Sequence, residues 1–322
     1  MSVLVRTAPP WSIRHRPQID DCPNDTTLRT LEERLQYLRN LEKRREEVRS
    51  AIEAQGKLTE ALSAAIASAV TLAEVEDLYR PYKPKRRTRA TVARERGLEP
   101  LAELLFAQGP DCPDPLAAAA AYVDPEKGVE TLADALQGAS DIIAETISDD
   151  AAIRKSLREL VLKRGQLVSK AATEEDTVYR LYYDFAQSIP RLQGHQILAI
   201  NRGEREGALK AVVVTDRDQA LPLLRRAVVR PGTRAMDFMK AVAEDAYDRL
   251  LYPSLEREVR NTLTEQASEG AIHNFALNLR PLLMQPPVKG RVTMGLDPGY
   301  RMGCKVAVVD ATGKVLDTTV VY

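Results

Sequence analysis

Leu28-Arg29-Thr30-Leu31-Glu32-Glu33-Arg34-Leu35, continued by Leu38, Leu41, Val48 and Ile52, decides the fold class of this chain. The leucines recur at intervals of three and four, which gathers them on one face of a helix and on no single face of a strand. The stripe predicts a long amphipathic helix over residues 26–54. Asp25 or Thr26 stands where an N-cap is wanted, and Gln55-Gly56 where the helix should end. The opposite face alternates Glu and Arg: Glu42 and Glu46 stand against Arg45 and Arg49. That pattern predicts i,i+4 ion pairs on a solvated surface.

A second long stretch of this kind covers residues 254–284, with Leu255, Val259, Leu263, Ile272, Phe275, Leu279 and Leu282 as its apolar positions and Pro286-Pro287 as its stop. Between the two, shorter helices are predicted near 59–69, 71–79, 88–96, 98–107, 115–122, 131–147, 149–163, 196–202, 221–229 and 234–250. The breaks are Gly109-Pro110-Asp111-Cys112-Pro113-Asp114-Pro115, Gly165, Pro190 and Gly194. Residues 208–214 read as a strand or the edge of a small strand pairing. Tyr179, Tyr182, Tyr183 and Phe185 form an aromatic group that suits a core better than a base-stacking platform. After residue 290 the period changes. Strands are predicted at 292–296, 305–309 and 315–321, with Gly313-Lys314 turning the last pair. The fold class is therefore mostly α, with strands concentrated after residue 290. Three such strands without a partner layer would be marginal alone.

Composition narrows the function. At 322 residues there is room for two or three domains, and 44% hydrophobic content supports a real core. Cys22, Cys112 and Cys304 form no CxxC pair, which argues for a reducing compartment and against a disulfide framework. His15, His195 and His273 lack zinc-ligand spacing, so no metal and no cofactor is expected. No apolar run reaches 18 residues, and Arg6 and Pro9-Pro10 cut short the only apolar stretch near the start. Neither a membrane span nor a secretory signal is predicted, and the cytoplasm is the expected location.

Lys+Arg and Asp+Glu balance at 46 each, yet from Arg80 to Arg96 eight basic residues face one acid, Glu95. This segment opens Tyr79-Arg80-Pro81-Tyr82-Lys83-Pro84-Lys85-Arg86-Arg87-Thr88-Arg89, where two prolines oppose a regular helix. A stiff cationic loop suits a phosphate backbone. It equally suits docking on acidic helices nearby. Lys83, Lys85, Arg86, Arg87 and Arg89 are the candidate nucleic-acid-binding residues. Gly203-Glu204-Arg205-Glu206-Gly207 offers carboxylates at a turn, but no nucleophile or histidine pattern accompanies them, and His195 is expected to cap or pack.

The Tyr79 segment resembles a signature of the bacterial Tex family. Five further segments match in order: Leu28 to Leu35, Tyr122-Val123-Asp124-Pro125-Glu126-Lys127-Gly128-Val129, Arg202 to Gly207, Pro253-Ser254-Leu255-Glu256-Arg257-Glu258, and Gly295-Leu296-Asp297-Pro298-Gly299. The resemblance covers residues 26–322. Residues 1–25, with Pro9-Pro10-Trp11-Ser12-Ile13-Arg14-His15-Arg16, read as irregular and depart from the family.

The resemblance implies an RNA-binding transcription accessory protein, similar in its core to a eukaryotic transcription elongation factor. It implies a helical segment, 26–71, packed with 230–285 as one discontinuous unit. A central helical domain would occupy 72–229, and 290–322 would open a ribonuclease-H-like α/β domain of the YqgF type, incomplete with three strands. The family's OB-fold and helix-hairpin-helix elements, which carry most of its nucleic-acid binding, would lie beyond residue 322. The expected partners are RNA, single-stranded nucleic acid and the transcription machinery. In nuclease members of the wider superfamily the first-strand aspartate, here Asp297, helps hold a divalent metal. Only Asp310 and Asp317 stand nearby in sequence, and such a site needs several carboxylates. A turn-forming role for Asp297 is therefore expected, and no enzyme. The alternatives are an inert structural fragment or a metal-dependent nuclease relic.

Overall fold

The computed structural model describes residues 25–110, 112–285, 290–299 and 301–322. The readings of residues 1–24, of Pro286-Pro287 and of the side chains that would cap the first helix lie outside the described residues. In chain order the helices are α1 (Asp25–Glu53), α2 (Glu60–Ser68), α3 (Leu72–Tyr79), α4 (Arg89–Glu95), α5 (Glu99–Ala107), α6 (Pro115–Ala119), α7 (Leu132–Asp149) and α8 (Ala151–Arg164). Strands β1 (Gln166–Ala171) and β2 (Asp184–Ser188) follow, then α9 (Gly194–Arg205), β3 (Leu209–Val214), α10 (Arg217–Val228) and α11 (Met236–Asp245). A π-helical stretch, Ala246–Leu251, leads into α12 (Tyr252–Leu283), and β4 (Thr293–Asp297), β5 (Cys304–Val309) and β6 (Val315–Val321) close the chain.

Short polar side chains start these helices. Thr59, Thr71, Thr88, Thr131, Asp150 and Asp216 each accept a bond from a backbone N–H of the following first turn. Each satisfies a donor that the helix itself cannot. Thr88 with Thr91, and Thr131 with Asp134, complete capping boxes.

The chain divides into two compact units, Met1–Gly165 with Thr215–Arg257, and Gln166–Val214 with Glu258–Tyr322. In the first, α7 supplies the centre of the core through Ala135, Ala139, Ile142, Ile143 and Ile147. Small residues let α4 approach closely, with Ala90 and Ala93 buried. Leu98 lies where a side chain at Gly138 would stand. Leu101 and Leu105 of α5, Leu221 and Leu224 of α10, and Met239 and Val242 of α11 complete the cluster.

A satellite core joins Leu41, Val48 and Ile52 of α1 to Ile66, Ala69 and Val75. Here the leucine stripe is only half used, because Leu28, Leu31, Leu35 and Leu38 are exposed. The reason is length: α1 runs 29 residues, whereas its neighbours α2 and α3 run 9 and 8 and cover only its C-terminal part. On its polar face Lys43–Glu47 pairs at the expected i,i+4, whereas Arg45–Glu42 and Arg49–Glu46 pair at i,i+3. Arg44 and Arg45 reach further, to Glu76 and to the Ala69 carbonyl. Arg154 of α8 donates to Asp77 of α3 at 2.6 Å, a buried ion pair that Arg158 extends.

The second unit adds two strands, β1 and β2, to a chain that is otherwise mostly α with a three-stranded sheet after residue 290. Strand β3 falls at the strand expected over 208–214, and the unexpected β1 and β2 join it in an antiparallel sheet, β2-β1-β3, with Leu167 opposite Gln187 and Val213. Tyr179 is buried, and Tyr182 packs edge-on against Phe185. Asn201 of α9 donates to Thr264 of α12, and Arg260 donates to Asn201. Along α12, Leu255, Val259 and Leu263 are buried while Ile272, Phe275 and Leu282 are exposed. The three late strands form a second antiparallel sheet, β4-β5-β6, close to their expected bounds.

Candidate nucleic-acid interface

The basic segment begins where α3 ends. Pro81 turns the chain through one 3-10 turn, Arg80–Tyr82, because its fixed φ and missing N–H suit the start of a helical turn and not its continuation. Tyr79 and Tyr82 pack against the satellite core, and Arg44 stands 5.7 Å from the Tyr79 ring centroid. Gln55 donates to the Tyr82 carbonyl at 3.0 Å. The two tyrosines therefore anchor the loop and are not free to stack on bases.

Beyond Tyr82 every residue up to Arg87 is exposed, but their charges differ in fate. The ammonium of Lys83 lies 3.9 Å from Glu76. Lys85 pairs with Asp149 and stands 3.6 Å from Glu145. Arg87 meets Glu95 at 2.7 Å. Arg86 and Arg89 are exposed and carry no carboxylate partner among the described residues. Of the two uses open to a cationic loop, pairing with acids nearby takes Lys83, Lys85 and Arg87 and leaves Arg86 and Arg89 without a carboxylate among the described residues.

Two of the four acids that hold the loop, Glu145 and Asp149, come from one face of α7. Asp141, Glu145 and Asp149 recur every four residues, so they line up along the helix. Arg249 bonds Asp141 at 2.8 Å. Arg94 donates to Glu145 at 2.8 Å and the Thr88 hydroxyl donates to it at 3.0 Å, while Arg80 approaches Asp149 at 3.4 Å. Burial pushes the Glu145 carboxyl upward, but the Arg94 bond, the Lys85 charge and the Thr88 bond outweigh it and hold the group below the ordinary glutamate value. The Thr88 hydroxyl also accepts from the Thr91 N–H, so one residue caps α4 and fastens the loop to α7.

The other residues singled out in the sequence take structural places. Glu204 accepts from the Ala211 N–H and pairs with Arg260, and Glu206 accepts from the Tyr179 hydroxyl at 2.8 Å. Gly203 lies inside α9, and Gly207 makes the turn at a positive φ of 75°. His195 is exposed on the first turn of α9, which Gln193 and Gln196 cap, so it neither caps nor packs. Asp297 stands on β4 opposite Lys305. Asp310 fixes the β5–β6 turn by accepting from Thr312 and Lys314 N–H groups, and Asp317 faces Val308.

A second basic stretch was not singled out by spacing or motif. Arg225, Arg226, Arg230 and Arg234 occur between Asp218 and Asp237 with no acid among them, a signal that a running charge count exposes. Arg225 pairs with Glu244, whereas the other three are exposed.

Family models match two regions: the Tex central region-like model over residues 111–275 and the Tex protein YqgF-like domain over 291–322. The chain is 44% identical over 319 residues to the uncharacterized protein YdcI of Bacillus subtilis, covering 97% of this chain and 44% of that protein. It is 38% identical over 325 residues to the transcriptional accessory protein Tex of Neisseria gonorrhoeae, covering 97% and 42%. To the human S1 RNA-binding domain-containing protein 1 it is 34% identical over 331 residues, covering 97% and 33%. It thus spans less than half the length of these relatives. Among the described residues no helix is long and apolar enough to cross a membrane. With its central region and its YqgF-like strands both matched in order, the chain belongs to the Tex family.

Proposed function

We propose that this chain is the helical part of a cytoplasmic transcription accessory protein and acts as a scaffold that contacts single-stranded RNA phosphates through Arg86 and Arg89. The observation that carries the reading is the division of charge in one loop. Lys83, Lys85 and Arg87 are held by carboxylates, while Arg86 and Arg89 stand exposed on a backbone fixed from both ends. An arginine kept free of acids on a rigid loop keeps its five donors for a phosphate. The names of the relatives agree, one as a transcriptional accessory protein and one by its S1 RNA-binding domain. The transcription machinery is the protein partner this reading implies.

The scaffold has no catalytic step of its own in this reading. Asp317 shares a row with Val308 and Met294, three residues along the sheet from Asp297, and Asp310 is committed to its turn. Carboxylates so dispersed are poorly placed for the shared metal clamp of phosphoryl transfer.

The test is fluorescence anisotropy of labelled oligouridylate with the full chain over a range of salt. Weak, sequence-tolerant binding that falls steeply with salt is expected. An anisotropy that stays flat at low salt would refute the reading and leave an inert structural fragment. RNA shortened in the presence of Mg²⁺, with the effect lost in Asp297→Asn, would instead make the chain a nuclease.

A further inference from the structure

We propose that Arg226, Arg230 and Arg234 form a second contact for the sugar–phosphate backbone of single-stranded nucleic acid, presented by the turn between α10 and α11. The proposal rests on the RNA reading above and adds a separate segment to it. All three side chains are exposed, with no carboxylate partner among the described residues. Only their neighbour Arg225 is neutralised, by Glu244.

A basic residue in the last turn of a helix can be explained by the helix dipole alone, and Arg226 lies there. Arg230 and Arg234 do not, because α10 ends at Val228. They sit on a turn whose shape is imposed from outside. Gln108 is almost fully buried and adopts a left-handed conformation, φ 46°, at the C-terminus of α5. Such a backbone is uncommon for a residue other than glycine, so its side chain must be needed there. Its amide donates to the Val228 carbonyl at 2.8 Å and its oxygen accepts from the Arg230 N–H at 2.8 Å. Thr233 then donates to the Arg230 carbonyl at 3.0 Å, Gly232 turns at φ 80°, and buried Val228 and Ala235 pin the two ends. A backbone ordered in advance leaves only the arginine side chains to be fixed on binding.

The chemistry of the surroundings selects the partner. Protein interfaces need an apolar or aromatic anchor, and membrane surfaces an inserted apolar face. Between Val214 and Ile272 no large hydrophobic side chain is exposed among the described residues, and on α5, whose end carries Gln108, only Leu104 and Phe106 are, at 40% and 36%. The segment itself offers three exposed guanidinium groups that no carboxylate pairs among the described residues, and their planar forks match phosphate oxygens.

The experiment uses the full chain and labelled oligouridylate, titrated at several salt concentrations, with folding checked by circular dichroism. For Arg226→Ala/Arg230→Ala/Arg234→Ala the log–log salt slope should flatten by about two, since each phosphate neutralised contributes roughly 0.7 on a single strand. Affinity at low salt should fall on the order of tenfold. The triple lysine variant should keep the slope. Gln108→Gly, which keeps every charge and relaxes the backbone, should weaken binding without changing the slope. A folded triple alanine variant with wild-type slope and affinity overturns the proposal. So does displacement of the RNA by polyglutamate that depends on the same three arginines as strongly as RNA binding does, which would assign the turn to an acidic protein. If Arg86→Ala/Arg89→Ala lowers the slope and the triple variant does not, this inference fails and the earlier reading stands. The reverse result retains this turn and removes the earlier loop. No binding by wild type removes both.

Discussion

Lys85 holds its ammonium 3.6 Å from a carboxylate oxygen of Glu145, on a helix more than fifty positions further along the chain. Glu145 also takes Arg94 and the Thr88 hydroxyl, so one carboxylate fastens both the loop and the start of α4 to α7. The most basic part of the sequence is thus in large part an internal structural device.

That device has a pH signature. Glu145 titrates below the ordinary glutamate value in the folded chain, so its stabilising contribution is fully present above the unfolded-state pKa of about 4.3 and is lost as pH falls through the lower folded value. Glu145→Gln should cost roughly 1–3 kcal/mol at neutral pH, the loss of charge-assisted bonds. It should also flatten the decline in stability as pH falls below the ordinary glutamate range. Urea denaturation at neutral pH and over that fall checks both expectations.

The buried pair of Arg154 and Asp77 joins α8 to α3 with side chains 1% and 5% exposed. Asp77→Ala removes the buried carboxylate that Arg154 and Arg158 share. A destabilisation of about 3–5 kcal/mol is expected, with the urea midpoint shifted and the slope unchanged. A loss below about 1 kcal/mol would mean that water already reaches the pair.

Gly203 needs its missing side chain for space, not for backbone freedom. A Cβ there would stand 2.6 Å from Leu209 and 3.2 Å from the Tyr179 ring. Alanine in a helix ordinarily stabilises by up to about 1 kcal/mol over glycine. Here Gly203→Ala should instead destabilise by about 1–3 kcal/mol, as overpacking does, and lower the thermal midpoint.

Helices were legible because their signals are local. The leucine spacing of α1, the threonine and aspartate caps and the glycine or proline breaks act within one or two turns. β1 and β2 were not legible. Gln166-Leu167-Val168-Ser169-Lys170-Ala171 and Asp184-Phe185-Ala186-Gln187-Ser188 carry too little alternation, and their strand state comes from pairing: β1 with β3 across up to 48 positions of sequence, as Gln166 does with Val214, and β2 with β1. The exposed first half of the α1 stripe was hidden for a related reason. Periodicity announces an apolar face without saying how much neighbouring helix exists to cover it. For the candidate site, residue type located the loop, but which cations face solvent depends on Glu76, Glu95, Glu145 and Asp149, and three of those four lie on helices outside the segment's own α4.

The most direct test of the account compares two double variants that remove the same charge from the same loop. Arg86→Ala/Arg89→Ala takes the cations that face solvent, and Lys85→Ala/Arg87→Ala takes cations bound to Asp149, Glu145 and Glu95. Salt-dependent titration with oligouridylate should show the first pair flattening the log–log slope by roughly 1–1.5 while leaving the thermal midpoint unchanged. The second pair should lower the thermal midpoint and leave the slope near wild type. Equal slopes for the first pair and wild type, or a larger slope change for the second, would contradict the division of labour assigned to this loop.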